Sequence, residues 1–144
     1  MPDASQARDV FVSHSSADAS VANEIVSGLE SRAVSCWIAP KDVQPGPTFA
    51  ASLYSAIESA PVFVVLMSAA ANKSDHVARE LAIADQMSKI VVPVRLEEFE
   101  ATGAFCYYTR AAHFYRWHHA PEQVLARIAE QVQCARNRGS GLAE

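Results

Sequence analysis

The sequence predicts an α/β domain built on a five-stranded parallel sheet with helices on both faces. Three observations predict it. Short apolar runs alternate with segments whose apolar residues recur every three or four positions. The run Val62-Phe63-Val64-Val65-Leu66-Met67 is apolar throughout, as a strand buried on both faces must be. Pro40 ends one strand-like run, and Pro61 stops the helix-like segment before the next. Alternation of strand and helix implies crossover connections and a parallel sheet. Five strands then suggest the flavodoxin-like order 2-1-3-4-5, with ligands outside the carboxyl ends of the strands.

Residues 1–8 are polar and read as a disordered N-terminus. Val10-Phe11-Val12, led by Asp9 and closed by Ser13, is too short for a helix and reads as the first strand. Ser15-Ser16-Ala17-Asp18 supplies N-cap residues, and capping accounts for Ser16 and Asp18. The helix that follows carries Val21, Ala22, Ile25, Val26 and Leu29 on one face. Val34 to Ile38 is rich in β-formers and reads as the second strand. The loop after it holds Lys41 and Asp42 between Pro40, Pro45 and Gly46, which stiffen it and turn it. By itself it is equally a solvated connector or a binding loop.

Phe49, Leu53, Ile57 and Ala60 mark a helix over 48–60, and 62–67 is the central strand. A third helix spans about 74–87, with Val77, Leu81, Ala84 and Met87 facing inward. Ile90-Val91-Val92-Pro93-Val94 is the fourth strand, and Pro93 implies incomplete pairing there. Residues 97–111 are irregular, with Glu97, Glu98 and Glu100 as a solvated acidic patch. A fifth strand falls near Ala112 to Tyr115. Pro121 suits the first turn of a last helix, whose inner face is Val124, Leu125, Ile128 and Val132. The domain thus runs over 9–134. Residues 135–144, with Gly139-Ser140-Gly141, read as a flexible tail or linker.

Bulk properties narrow the function. The 144 residues suit one domain, and 50% hydrophobic with 19% charged residues suits a globular core. A net charge of −4 with interspersed signs argues against nucleic acid as a partner. No apolar run approaches a membrane span or a signal-peptide core. Cys36, Cys106 and Cys134 are odd in number and widely spaced, which favours a reducing cytoplasm over a disulfide framework. No glycine-rich phosphate loop, serine-hydrolase elbow or metal-ligand spacing is present. The expectation is therefore no metal and no cofactor.

Polar residues collect in three segments at the predicted strand ends: Ser13–Asp18, 39–47 and Ser68–His76. His14 is not needed for capping. His76 and Glu80 are four apart on one helix face, and Glu80 borders the buried stripe marked by Val77 and Leu81. On spacing alone, a surface glutamate paired with a base is the plainer reading. A carboxylate at a core margin beside a strand-end cleft is also a candidate for chemistry.

Four segments together resemble the bacterial branch of the TIR (Toll/interleukin-1 receptor) domain family. They are Asp9-Val-Phe-Val-Ser-His-Ser-Ser-Ala-Asp18, Cys36-Trp-Ile-Ala-Pro-Lys-Asp-Val-Gln-Pro-Gly46, Ser74-x-His-x-x-x-Glu80 and Ile90-Val-Val-Pro-Val-Arg-Leu96. The resemblance implies the same flavodoxin-like sheet. It also implies either of two functions: cleavage of NAD⁺ between nicotinamide and ribose, or non-catalytic signalling by assembly with other TIR domains. The cleaving members carry Ser-x-Trp-x-x-x-Glu in the third helix. Glu80 stands in the catalytic place, Ser74 in the serine place, and His76 where the family usually has Trp.

By the same resemblance, Ser13, His14, Ser15, Ala39, Lys41, Asp42, Ser74 and His76 would bind substrate. The 39–47 segment would both rim the pocket and join neighbouring molecules, in filaments among other assemblies. A fused or separate sensor domain and a role in bacterial defence signalling complete the expectation. NAD⁺ is then a substrate, and its product is ADP-ribose or a cyclic form. A more distant rival is a flavodoxin-like nucleoside-processing enzyme, which would also set a carboxylate at a sugar.

Overall fold

The computed structural model describes residues 8–38, 47–109 and 113–142. Among these residues five strands form one parallel sheet in the order β2-β1-β3-β4-β5, as expected. The strands are β1 (Val10–Ser13), β2 (Cys36–Ile38), β3 (Val62–Met67), β4 (Ile90–Arg95) and β5 (Tyr115–Arg116). The helices are α1 (Ala19–Glu30), α2 (Pro47–Ser59), α3 (Ala69–Asn72), α4 (Asp75–Gln86), α5 (Gly103–Thr109) and α6 (Pro121–Leu142).

Strand alternation sorts the core into two halves. Val10, Val12, Val62, Val64, Leu66, Val92 and Val94 point to the face covered by α1 and α6, through Ile25, Leu29, Val124 and Ile128. Phe11, Phe63, Val65 and Met67 point to the opposite face, against Ile57 of α2, Val77, Leu81 and Ala84 of α4 and Phe105 of α5. On this second face Trp37, Phe11 and Phe63 lie in register across β2, β1 and β3. Their rings stack at centroid separations of 5.0 and 5.4 Å. The same alternation places Ser13 on the second face, two residues beyond Phe11 and above α4.

Several expectations are corrected. β2 is only Cys36–Ile38, because the Val34 amide is taken by the Leu29 carbonyl at the end of α1. β4 runs unbroken through Pro93, paired with Val65. The amides of Ile90 and Leu96 bond towards β3, so by alternation Pro93 turns its missing N–H towards β5. Pairing with β5 begins only at Val94–Tyr115, so no ladder bond is lost. The irregular stretch before β5 contains α5. The last helix does not end near residue 134. It continues to Leu142, since each further turn adds a backbone bond and Gly139 and Gly141 weaken a helix without stopping it. Residues 1–7 and the 39–46 part of the loop, with Ala39, Lys41 and Asp42, lie outside the described residues.

Helices α1 and α4 end alike. Val34 N–H bonds the Leu29 carbonyl and Ala33 N–H that of Glu30, while Lys89 and Ser88 do the same with Ala84 and Asp85. This is the Schellman closure, and it puts Ala33 at φ 64° and Ser88 at φ 57°, where glycine is favoured. Ala33→Gly is expected to raise unfolding free energy by about 1 kcal/mol, read in urea titration, because the left-handed strain of a Cβ is removed.

Cys36 packs in the first core half, and burial, with Glu30 and Asp9 nearby, pushes its thiol up to about 12. Cys106 and Cys134 are exposed. Native protein treated with a thiol-reactive probe at pH 8 is therefore expected to label Cys106 and Cys134 only. Cys36 should react when the chain is unfolded.

Candidate functional site

The site begins with an enforced meeting. β1 ends with Ser13 on the face that α4 covers. Ser74 opens α4 by accepting the Val77 amide at 3.2 Å, which sets the helix origin. Val77, Leu81 and Ala84 then anchor the helix to the sheet. Glu80, one residue before Leu81, is carried under the strand ends instead of out to water.

Glu80 is 6% exposed, and Ser13 Oγ donates to Glu80 Oε1 at 2.6 Å across 67 residues of sequence. A buried carboxylate needs donors of this kind, because dehydration strongly disfavours a bare charge. Ser13, His14 and Ser15 are themselves buried. The plainer reading of Glu80, a surface residue paired with a base, is thus replaced by a buried, hydroxyl-held carboxylate at the carboxyl end of the sheet.

The neighbouring turn was not legible. Asp18 and Ser16 do not cap as expected: Asp18 occupies the N-cap position of α1 and Ser15 that of the preceding 3-10 turn, and neither side chain makes a cap bond. Asp18 Oδ2 instead accepts from Ser15 Oγ at 3.0 Å and from Ser68 Oγ at 2.5 Å. Ser68 Oγ also accepts the Ala71 amide at 3.0 Å and so caps α3. The acidic patch is partly engaged too, since Glu97 Oε2 accepts the Ala69 amide at 2.8 Å. The clue was present in Ser68, a lone hydroxyl ending an apolar strand, but its partner is 50 residues away.

Of the expected site residues, Ser13 and Glu80 are brought into contact, with His14 and Ser15 following directly on the chain. Ser74 is committed to capping α4. His76 is exposed on the first turn of α4 while Glu80, one turn on, is buried. Ala39, Lys41 and Asp42 lie outside the described residues.

A parallel sheet ordered 2-1-3-4-5 and a strand-end serine bonded to a buried helix glutamate set the terms for comparison. A family model for the TIR domain matches residues 10–129. The chain belongs to the TIR domain family.

Solved structures agree on the fold. The TIR domain of the Toll-related receptor TRR-2 from Hydra magnipapillata is 21% identical, with a TM-score of 0.73 over 88% of this chain and 98% of that one. A metazoan TIR-STING receptor from C. gigas is 20% identical, with a TM-score of 0.64 over 89% of this chain and 42% of that one. The TIR domains of the activated Roq1 resistosome, which directly recognises the pathogen effector XopQ, are 17% identical, with a TM-score of 0.56 over 85% of this chain and 84% of that one. At such identities the likeness speaks to fold. No curated protein matches the chain. Among the described residues of this TIR domain, no helix is long and apolar enough to cross a membrane.

Ser74→Ala should cost about 1 kcal/mol of stability through the lost cap, and Ser74→Asp should restore most of it. Thermal unfolding of the two variants beside wild type provides the check.

Proposed function

We propose that this TIR domain cleaves NAD⁺ at the bond between nicotinamide and ribose, with Glu80 as the catalytic carboxylate. The observation that carries the reading is the buried Glu80 side chain, held by Ser13 at 2.6 Å at the carboxyl end of the sheet. Family membership supports it, because this chain retains two residues of the cleaving pattern, Ser74 at the N-cap of α4 and Glu80 within the helix.

The chemistry asks for one acidic group. Nicotinamide is cationic within NAD⁺ and takes the bonding electron pair as it leaves, becoming neutral. It needs no general acid, unlike the leaving group of an ordinary glycoside. Positive charge builds on the ribose as the bond opens. A carboxylate about 4 Å away contributes roughly 4 kcal/mol at an effective dielectric near 20. That is about three decades of rate. Water then adds to the ribose carbon and loses a proton, giving ADP-ribose; attack by the adenine end gives a cyclic product instead. Ser13 fixes the carboxylate so that it does not reorganise during the step. His14, Ser15, Ala39, Lys41, Asp42 and His76 bind around it in this reading, with Lys41 and Asp42 also serving contact between copies through the 39–47 loop. The setting is cytoplasmic defence signalling, with assembly driven by a sensor domain.

A second reading is a non-catalytic interaction module. His76 favours it: an exposed imidazole stands where the cleaving pattern has Trp. The similar domain from a Hydra Toll-related receptor is compatible with it.

The test is nicotinamide release from NAD⁺, followed by chromatography over a protein-concentration and crowding series, for wild type and Glu80→Gln. Glutamine keeps the shape and can still accept from Ser13, so the comparison isolates the charge. Wild type is expected to release nicotinamide, and Glu80→Gln to be slower by about 10³-fold. Equal release by both would remove Glu80 from the chemistry. No release by either, with self-association that Lys41→Glu abolishes, would favour the interaction module.

A further inference from the structure

We infer that Asp18 is a positioning residue that clamps the two strand-end loops flanking Glu80. The inference rests on the reading of the site given above, and it gives a role in that site to Asp18, which the sequence analysis assigned to capping.

The geometry is specific. One carboxylate oxygen, Asp18 Oδ2, accepts from Ser15 Oγ in the loop after β1 and from Ser68 Oγ in the turn after β3. These strands are adjacent, with Ser13 in register with Val65. Their ends therefore emerge side by side, and Asp18 spans them from the start of α1. Ser15 and Ser68 are 7% and 2% exposed, so water competes poorly for their hydroxyls.

Each loop leads to a working part of the site. The first holds Ser13, the donor to Glu80, followed by His14 and Ser15. The second holds Ser68, which caps α3 through the Ala71 amide. Ser74, the cap of α4, lies just beyond, with its amide bonded to the Ala71 carbonyl. The clamp thus ties the donor side of the Ser13–Glu80 pair to the helix side. Capping does not explain Asp18, since its side chain makes no cap bond to α1.

If Asp18 is lost, both loops lose an acceptor while the core halves below them stay intact. The substrate-binding loop should then sample open arrangements, which weakens binding more than it slows the step on bound substrate. Asparagine keeps an acceptor oxygen, so Asp18→Asn should retain much of the clamp.

The experiment compares wild type, Asp18→Ala, Asp18→Asn and Ser68→Ala by amide hydrogen exchange, without substrate. Asp18→Ala is expected to speed exchange at 13–15 and 69–72 by about tenfold, the loss of a hydrogen bond of ordinary net strength. Amides of α6 should stay at wild-type rates, and Asp18→Asn should lie near wild type. Ser68→Ala should reproduce the increase at 13–15, which supplies the answer if Asp18→Ala fails to fold. Steady-state NAD⁺ cleavage should show KM raised about tenfold in Asp18→Ala with kcat within about twofold.

Wild-type exchange at both loops in Asp18→Ala or Ser68→Ala would overturn the clamp. Loosened loops with unchanged KM in an active enzyme would overturn its positioning role. If wild type does not cleave NAD⁺, the proposed activity falls by itself, while exchange still decides whether Asp18 joins the loops.

Discussion

A carboxylate buried beneath the ends of a parallel sheet is the constraint on which the rest of this structure turns. Glu80 lies under β1 and β3, where it exchanges water for a hydroxyl of Ser13. Dehydrating an ionised group is costly, and the cost falls steeply when a donor is already fixed in place. Much of the surrounding design supplies that fixing. Alternation along β1 sends Val10 and Val12 to one core half and Phe11 and Ser13 to the other. The cap at Ser74 and the apolar stripe of Val77, Leu81 and Ala84 set the depth and rotation of α4. The stacked rings of Trp37, Phe11 and Phe63 hold the strands beneath the same site.

The strands and longer helices were largely legible because their signals are local. Val62–Met67 is apolar throughout, so its burial on both faces follows without knowledge of its neighbours. The helix stripes repeat at helical spacing and bury Ala22, Ile25 and Leu29 of α1 and Val77, Leu81 and Ala84 of α4, with Val21 and Val26 partly buried. Alternation implied a parallel sheet, and the count of five strands suggested the order found. Pairing at Pro93 is incomplete only on the β5 side, because its nitrogen faces that neighbour, a strand two residues long, while the β3 side pairs in full. The run of α6 through two glycines shows a weak local breaker losing to an established helix.

The site was legible in part for the same reason. Glu80 was visible as a polar residue bordering an apolar stripe, and the family resemblance singled it out. Its bond to Ser13 was not visible, because 67 residues separate the partners and only the sheet brings them together. Asp18 was assigned to capping, the commonest local use of an aspartate before a helix. In the folded chain two buried hydroxyls, one of them 50 residues away, engage its carboxylate instead. Long-range polar pairing carries no periodicity, which is why hydroxyls and carboxylates at strand ends were read less well than the core.

TIR membership sets the fold and leaves two ways of using it, an enzyme or an assembling module. What favours the enzyme here is physical: an acidic group kept from solvent, oriented by a hydroxyl, at the end of the sheet where α/β folds bind ligands. A surface used only for contact has no need of a dehydrated carboxylate.

The most direct test of that arrangement is a double-mutant cycle on Ser13 and Glu80, measured by urea unfolding of wild type, Ser13→Ala, Glu80→Met and the double variant. A hydrogen-bonded buried pair predicts that either single change already removes the bond the two residues share. The double variant should then be more stable than the summed single losses imply, by about 1–3 kcal/mol. Losses that add to within about 0.5 kcal/mol would contradict the account, because Ser13 would then not be holding Glu80.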